Sequence, residues 1–214
     1  MDHIVITKGI VLKQTPVGEF DRRVEILTVE RGRITAFARG ARRQGGKLTA
    51  TTDFFCFGEF KLYPGREAYT LSDANITEFF VELRSDFEAA LYGMYFLEVA
   101  QFNTRENVVD KEILKTLYLA LKKCTSPQMD RSLLKIVYEL KVMALMGEYK
   151  KSERTDLLPA TRYAEQFILT TEPEKLFSFN LVPEAQKQLK ELAEKEKRRL
   201  WQHNFKSEEM LTAL

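Results

Sequence analysis

Between Arg31 and Thr52 the chain carries six basic residues (Arg31, Arg33, Arg39, Arg42, Arg43 and Lys47) and no acidic one. Such a run creates a local positive field that attracts polyanions, whatever the net charge of +2 over the whole chain. Within it, strand-like alternation puts Arg33, Thr35, Phe37 and Arg39 on one face and Ile34, Ala36 and Ala38 on the other. Guanidinium groups flanking an aromatic ring can hold a single nucleic-acid strand, since charge follows the phosphates and a ring or planar guanidinium stacks on an unpaired base. A plainer reading stands beside this one: Phe37 is core, and the arginines are solvated edge charges that discourage strand aggregation. No acid within the segment is available to pair with them. Gly40 to Lys47 then leaves the strand as a flexible basic loop, suited to tracking phosphates without base specificity. Arg22 and Arg23 extend the same surface, although Asp21 beside them offers a local salt bridge instead. The candidate strand-binding residues are therefore Arg22, Arg23, Arg31, Arg33, Phe37, Arg39, Arg42, Arg43 and Lys47.

Other chemistry is poorly represented. The two histidines, His3 and His203, lie near neither a cysteine nor a serine elbow. Gly45-Gly46-Lys47 lacks the spaced first glycine and the following Ser or Thr of a phosphate loop, and no GxGxxG occurs. Acidic residues are scattered, not grouped as ligands. No catalytic residue, cofactor or metal is expected. Cys56 and Cys124 stand far apart in apolar surroundings, which predicts buried packing and a reducing, cytoplasmic setting. No apolar run reaches the ~20 residues of a membrane span, and the N-terminus lacks the pattern of a secretion signal.

The elements that must position these residues change character near residue 83. Ile4–Leu12 reads as a strand with Gly9 at a bulge or tight bend. Arg23–Val29 and Ile34–Ala38 alternate around the Glu30–Arg33 turn and form a hairpin. Phe54–Tyr63 and the stretch from Tyr69 to about Val81 complete five strands, with Pro64-Gly65 in the residue order of a type II turn. Five strands so spaced predict a small closed barrel over residues 1–82. From Ser85 the period turns helical. Apolar residues at offsets of three and four run through a first helix, a second from Asp110 closed by Pro127, and a third over Ser132–Met146 stopped by Gly147. A fourth begins at Pro183 and runs to about Trp201, with a short one from Ser207. Residues 148–182 are the least legible; Tyr149, Leu157, Leu158, Tyr163, Phe167, Leu169, Leu176 and Phe179 are their candidate apolar anchors. The fold class is α+β, an all-β barrel followed by an all-α helical domain over 83–214.

Gly9-Ile10-Val11-Leu12, Gly18-Glu19-Phe20-Asp21-Arg22, Leu27-Thr28-Val29-Glu30-Arg31-Gly32-Arg33 and Ala38-Arg39-Gly40-Ala41-Arg42-Arg43 resemble, in order and spacing, the N-terminal barrel of the RecO family of DNA repair proteins. The tail Asn204–Ser207 is similar to that family's closing stretch. The resemblance implies an OB-fold barrel, binding and annealing of single-stranded DNA, association with RecR and the single-stranded DNA-binding protein, and, indirectly, loading of RecA, all in the nucleoid. One departure is plain. Many members carry a four-cysteine zinc knuckle near the position of residues 148–180, and this chain has no cysteine after Cys124. Two distant thiols cannot make a structural zinc site.

The single-stranded DNA-binding protein ends in an acidic peptide with an apolar terminus, so a receptor needs an apolar groove with a basic rim. Lys135 and Lys141 on one helix, with Lys187, Lys190, Arg198 and Arg199 on another, are candidates for it. Two alternatives to a DNA-annealing mediator stay open: an OB-fold RNA binder, because phosphate contacts do not distinguish the sugars, and a protein-interaction scaffold that holds an acidic peptide.

Overall fold

The computed structural model describes residues 4–213. Five strands come first: β1 (Val5–Val17), β2 (Asp21–Thr28), β3 (Gly32–Ala38), β4 (Phe57–Tyr63) and β5 (Tyr69–Glu78). Helices follow: α1 (Val81–Ser85), α2 (Phe87–Asn103), α3 (Lys111–Cys124), α4 (Arg131–Leu145), α5 (Pro159–Thr170), α6 (Pro173–Leu176), α7 (Pro183–Leu200) and α8 (Lys206–Thr212). The chain divides into two compact units. One comprises the strands up to Val81 together with Ala100–Leu114, the other Glu82–Val99 together with the chain from Lys115 onward. The boundary expected at 82/83 thus misses a segment that returns to the barrel.

The strands close into a barrel in the order β1-β2-β3-β5-β4, as an OB-fold requires. All pairings are antiparallel except β3 with β5, which is parallel and spans only Ala36–Tyr69, Phe37–Thr70 and Ala38–Leu71. Alternation fills the interior with Val11, Val24, Ile26, Ile34, Ala36, Ala38, Phe60, Leu62 and Leu71. Gly9 does not sit at the bulge, which falls between Val11 and Lys13. Gly9 pairs with both Thr28 and Gly58, where an added Cβ would lie 2.5 Å from the Leu27 carbonyl oxygen. Pro64-Gly65 does not form the type II turn either. Among the described residues Gly65 is not one of the glycines with positive φ, and it is needed because a Cβ there would meet the Ala68 carbonyl oxygen at 2.3 Å.

In the helical unit Asp130 caps α4, its carboxylate accepting from the Ser132 and Leu133 amides. Leu133, Leu134, Ile136, Val137 and Leu140 are buried along that helix. Tyr138 packs its ring 4.7 Å from Phe96 and donates to the Phe96 carbonyl at 3.0 Å. Gly147, at φ +73°, ends the last turn, and Pro183 opens α7. The anchors of residues 148–182 differ from those expected. Leu157 and Leu176 are buried, but Tyr149, Phe167, Leu169 and Phe179 are half-buried, and Leu158 and Tyr163 are exposed. Thr161, Ala164, Glu165, Ile168 and Phe177 are buried in their place. Glu165 accepts from the Tyr149 hydroxyl at 2.6 Å and the Ser152 amide at 2.7 Å, tying the start of this segment to α5. No helix among the described residues is long and apolar enough to cross a membrane. Both cysteines are buried and neither is in a disulfide among the described residues, and desolvation pushes the Cys124 thiol up to about 12.

Candidate nucleic-acid interface

The register of the β2–β3 hairpin fixes which side chains share the outside of the barrel. Leu27 stands opposite Arg33, Glu25 opposite Thr35, and Arg23 opposite Phe37. Thr28 and Gly32 close the hairpin, with the Thr28 hydroxyl donating to the Gly32 carbonyl at 2.7 Å and accepting from the Arg31 amide at 3.1 Å. Arg31 lies exposed in that turn.

The half of this face nearest the turn is covered. Arg33 donates to Glu25 at 2.7 Å and to the Thr104 carbonyl at 3.3 Å, and Gln101 donates to the same Glu25 carboxylate at 2.8 Å. The Thr35 hydroxyl donates to Glu106 at 3.0 Å, and the Asn107 amide donates to the Arg33 carbonyl at 3.0 Å in a short parallel bridge. Gly32, at φ +66°, lies so close to this strap that an added Cβ would be 2.0 Å from the Val108 carbonyl oxygen. Acids from outside the basic run therefore pair with it after all. Arg33 is part of the barrel's own framework and is not a free cation.

The other half is open. Phe37 is 39 % exposed and lies outside the core, with Arg23 exposed opposite it and Arg39 exposed at the end of the strand. The loop that follows is folded, contrary to the flexible tether expected. The Asp21 carboxylate accepts from the Gly40 amide at 2.7 Å, and the Phe20 carbonyl accepts from the Arg42 amide at 2.8 Å. Successive turns then join Arg43 to Gly40, Gly46 to Arg43 and Thr49 to Gly46, at 2.9–3.0 Å. Asp21 is thus used by the backbone and forms no salt bridge with Arg22 or Arg23. Arg22 turns into the loop, donating to the Thr49 carbonyl at 2.9 Å and the Thr52 hydroxyl at 3.0 Å, and acts as a strut. Arg42 is exposed and reaches the Gly18 carbonyl at 3.2 Å; the exposed Arg43 lies 5.0 Å over the Phe20 ring. Lys47 pairs with the exposed Asp73 at 2.8 Å, and this hydrogen bond holds the Asp73 carboxyl below its usual range. An exposed pair of this kind is worth little and exchanges readily for another anion.

Phe20 is the residue that strand reasoning missed. It is 39 % exposed in the β1–β2 turn, presenting a ring beneath Arg43. Its signal was available: an aromatic in a Gly18-Glu19-Phe20 turn has no periodic reason to be core.

In the helical unit the expected basic rim is broken up. Lys135 is largely buried, donating to Glu139 at 2.8 Å and Glu208 at 2.7 Å, with its ammonium 4.8 Å from the Tyr95 ring centroid. Lys141 is buried and donates to the Thr171 carbonyl at 2.8 Å and the Ile168 carbonyl at 3.3 Å, capping the C-terminal end of α5. Neither can line an exposed groove. Arg199 is held by Glu196 and the Glu148 carbonyl, and Arg198 donates to the Glu194 carbonyl. Lys187 and Lys190 remain exposed beside Ser132, Ile136 and Pro183. His203 packs edge-on against Phe205, and His3 lies outside the described residues.

Residues 1–80 match the family model described as the N-terminal domain of recombination protein O. The DNA repair protein RecO of Clostridium novyi is 32 % identical over 141 residues, covering 66 % of this chain and 55 % of that protein. RecO of Acetivibrio thermocellus is 33 % identical over 143 residues, covering 66 % and 56 %, and RecO of Listeria monocytogenes 28 % over 147 residues, covering 69 % and 57 %. The matched stretch is a little over half the length of each of these relatives.

Proposed function

We propose that this chain, whose residues 1–80 match the N-terminal domain of recombination protein O, is a non-enzymatic DNA repair protein that binds single-stranded DNA on the open half of its barrel and promotes annealing. One observation carries the reading. Phe37 stands 39 % exposed with Arg23 opposite it and Arg39 two residues on, and neither these two arginines nor Arg42 and Arg43 in the following loop are in an ion pair among the described residues. A ring offers its face to an unpaired base, and unpaired guanidinium groups replace counterions along the phosphates. The folding of the 40–49 loop pre-positions Arg42 and Arg43, so little ordering cost falls on binding. Annealing needs no covalent step. Two complementary strands repel each other, and a cationic protein coating both lowers that repulsion and raises their local concentration. The finer role, with RecR and the single-stranded DNA-binding protein as partners and RecA loading as the outcome, follows the family resemblance.

Oligo-dT, oligo-U and duplex DNA titrated at matched salt provide the test. Tightest binding is expected for oligo-dT, together with faster annealing of complementary oligonucleotides. Equal binding of oligo-U would favour the RNA reading, and absence of micromolar binding at low salt would overturn both.

A further inference from the structure

The strap over the β2–β3 hairpin lies across the face along which an OB-fold barrel is expected to lead a strand. It is held at several points: the backbone bridge from Asn107 to Arg33, the Arg33 bond to the Thr104 carbonyl, the Gln101 bond to Glu25, and the close seat of Val108 on Gly32. Asn107 itself adopts φ +59°, which turns the strap back along the strand. In the middle of this closed half, facing Thr35, stands the carboxylate of Glu106 on an exposed residue.

From this geometry we infer that Glu106 and its strap are a stop that ends the strand's path between Phe37 and Thr35. A strand entering over Arg42, Arg43 and Arg39 meets unpaired cations and an open ring as far as Phe37 and Arg23. One residue pair further along, at Glu25–Thr35, it meets the exposed carboxylate of Glu106. Glu25 is buried and satisfied by Arg33 and Gln101, whereas the exposed Glu106 holds its carboxylate over Thr35, where the next phosphate would lie. The repulsion and the occupied backbone together leave the phosphates nowhere to continue. The barrel then binds a short stretch, at the low end of the ~4–16 nucleotides typical of OB-folds. Nucleotides beyond the stop keep their base edges free, as annealing demands. This inference rests on the strand-binding reading proposed above.

Oligo-dT of increasing length, titrated against the whole chain and its variants, separates the two. Glu106→Gln keeps the acceptor for Thr35 and removes the charge; it should bind roughly fivefold tighter at low salt, the scale of one like charge at about 4 Å in water. Glu106→Lys adds a contact beyond the stop. It should steepen the slope of log K against log salt by about 0.7 and lengthen the oligonucleotide at which affinity levels off. Glu59→Lys, on the exposed part of β4, adds the same net charge elsewhere and should not lengthen it. If both Glu106 variants match Glu59→Lys or the native chain, the stop is wrong while strand binding stands. Photocrosslinks from a thymidine analogue to Thr35 or Glu106 as strong as those to Arg39 and Arg43 would also overturn it. Failure of the native chain to bind any oligo-dT would instead remove the functional reading itself. Melting temperatures of the variants, expected to be unchanged, guard against a folding artefact.

Discussion

Arg39 and Lys135 both occupy positions that periodicity assigns to the outside of an amphipathic element, yet they end in opposite surroundings. Arg39 stands exposed with no ion pair among the described residues, and Arg42 and Arg43 in the loop that follows have none there either. Lys135 is locked between Glu139 and Glu208, and Lys197 completes the cluster with Glu139, Glu194 and Glu208. The difference comes from long-range partners, not from local sequence. Among the described residues no acid forms an ion pair with Arg39, whereas Glu208, distant in sequence, is brought to Lys135 by the docking of α8. Cations left unpaired keep their electrostatic attraction for an outside anion. Buried and paired cations are spent on holding helices together and contribute nothing to capture.

Breaking a buried pair should give the largest effect. Glu139 is 1 % exposed and accepts from Lys135, Lys197 and the Tyr95 hydroxyl. Glu139→Ala leaves two buried ammonium groups without this partner, so a loss of about 3–5 kcal/mol is expected. Urea unfolding followed by Trp201, the single tryptophan and a buried residue of this unit, reads it directly. A loss below 1 kcal/mol would show that the cluster is not held as described.

Phe37→Ala should act on binding instead. Loss of a stacked base costs about 1–3 kcal/mol of affinity, while thermal stability should hold because the ring is outside the core. A collapse in melting temperature with unchanged affinity would return Phe37 to a packing role.

A smaller, cleaner contrast lies along the basic run. Replacing Arg42 and Arg43 together with alanine should flatten the salt slope by up to about 1.4, at about 0.7 per phosphate contact. Arg33→Met, which removes a cation already paired with Glu25, should leave the slope unchanged. Equal slopes for the two variants would erase the distinction between the open and covered halves.

The mildest prediction concerns pH. Burial alone would raise the Glu208 carboxyl, but Lys135 and Lys197 outweigh it and hold the group below its ordinary value of 4.5. A carboxyl depressed in the folded state adds stability that is present above the unfolded value and lost as pH falls through the folded one. The helical unit should therefore weaken below about pH 4.5, and Glu208→Gln should flatten that dependence in acid denaturation monitored by Trp201.

What was readable in advance follows the same division. The β2–β3 hairpin was legible because Val24, Ile26, Ile34 and Ala36 alternate cleanly inward, and with it the outward placing of Arg23, Phe37 and Arg39. The fate of Arg33 was not, since Glu25 on the paired strand and the carbonyl of Thr104 lie outside the run that was read. Helix α5 escaped notice because two of the residues it buries, Thr161 and Glu165, are polar, while Tyr163 faces out. Its start carries no capping side chain either, and Pro159 alone marks it. The strap was invisible for a different reason: it is held largely by backbone groups and by a glycine's missing side chain.

The parallel seam between β3 and β5 has a further consequence. Three residue pairs join these strands, against seven or more in the β1–β2, β2–β3 and β4–β5 pairings, and parallel pairing is the weaker kind. A closed ring opens where its link is shortest, so the amides of 36–38 and 69–71 should exchange with deuterium before those of the other ladders. Phe37 is the middle residue of that link. A base stacked on its ring would rest on the barrel's own hinge, and occupancy would then be legible as slowed exchange at Ala36, Ala38 and Leu71, buried residues that need never touch the strand.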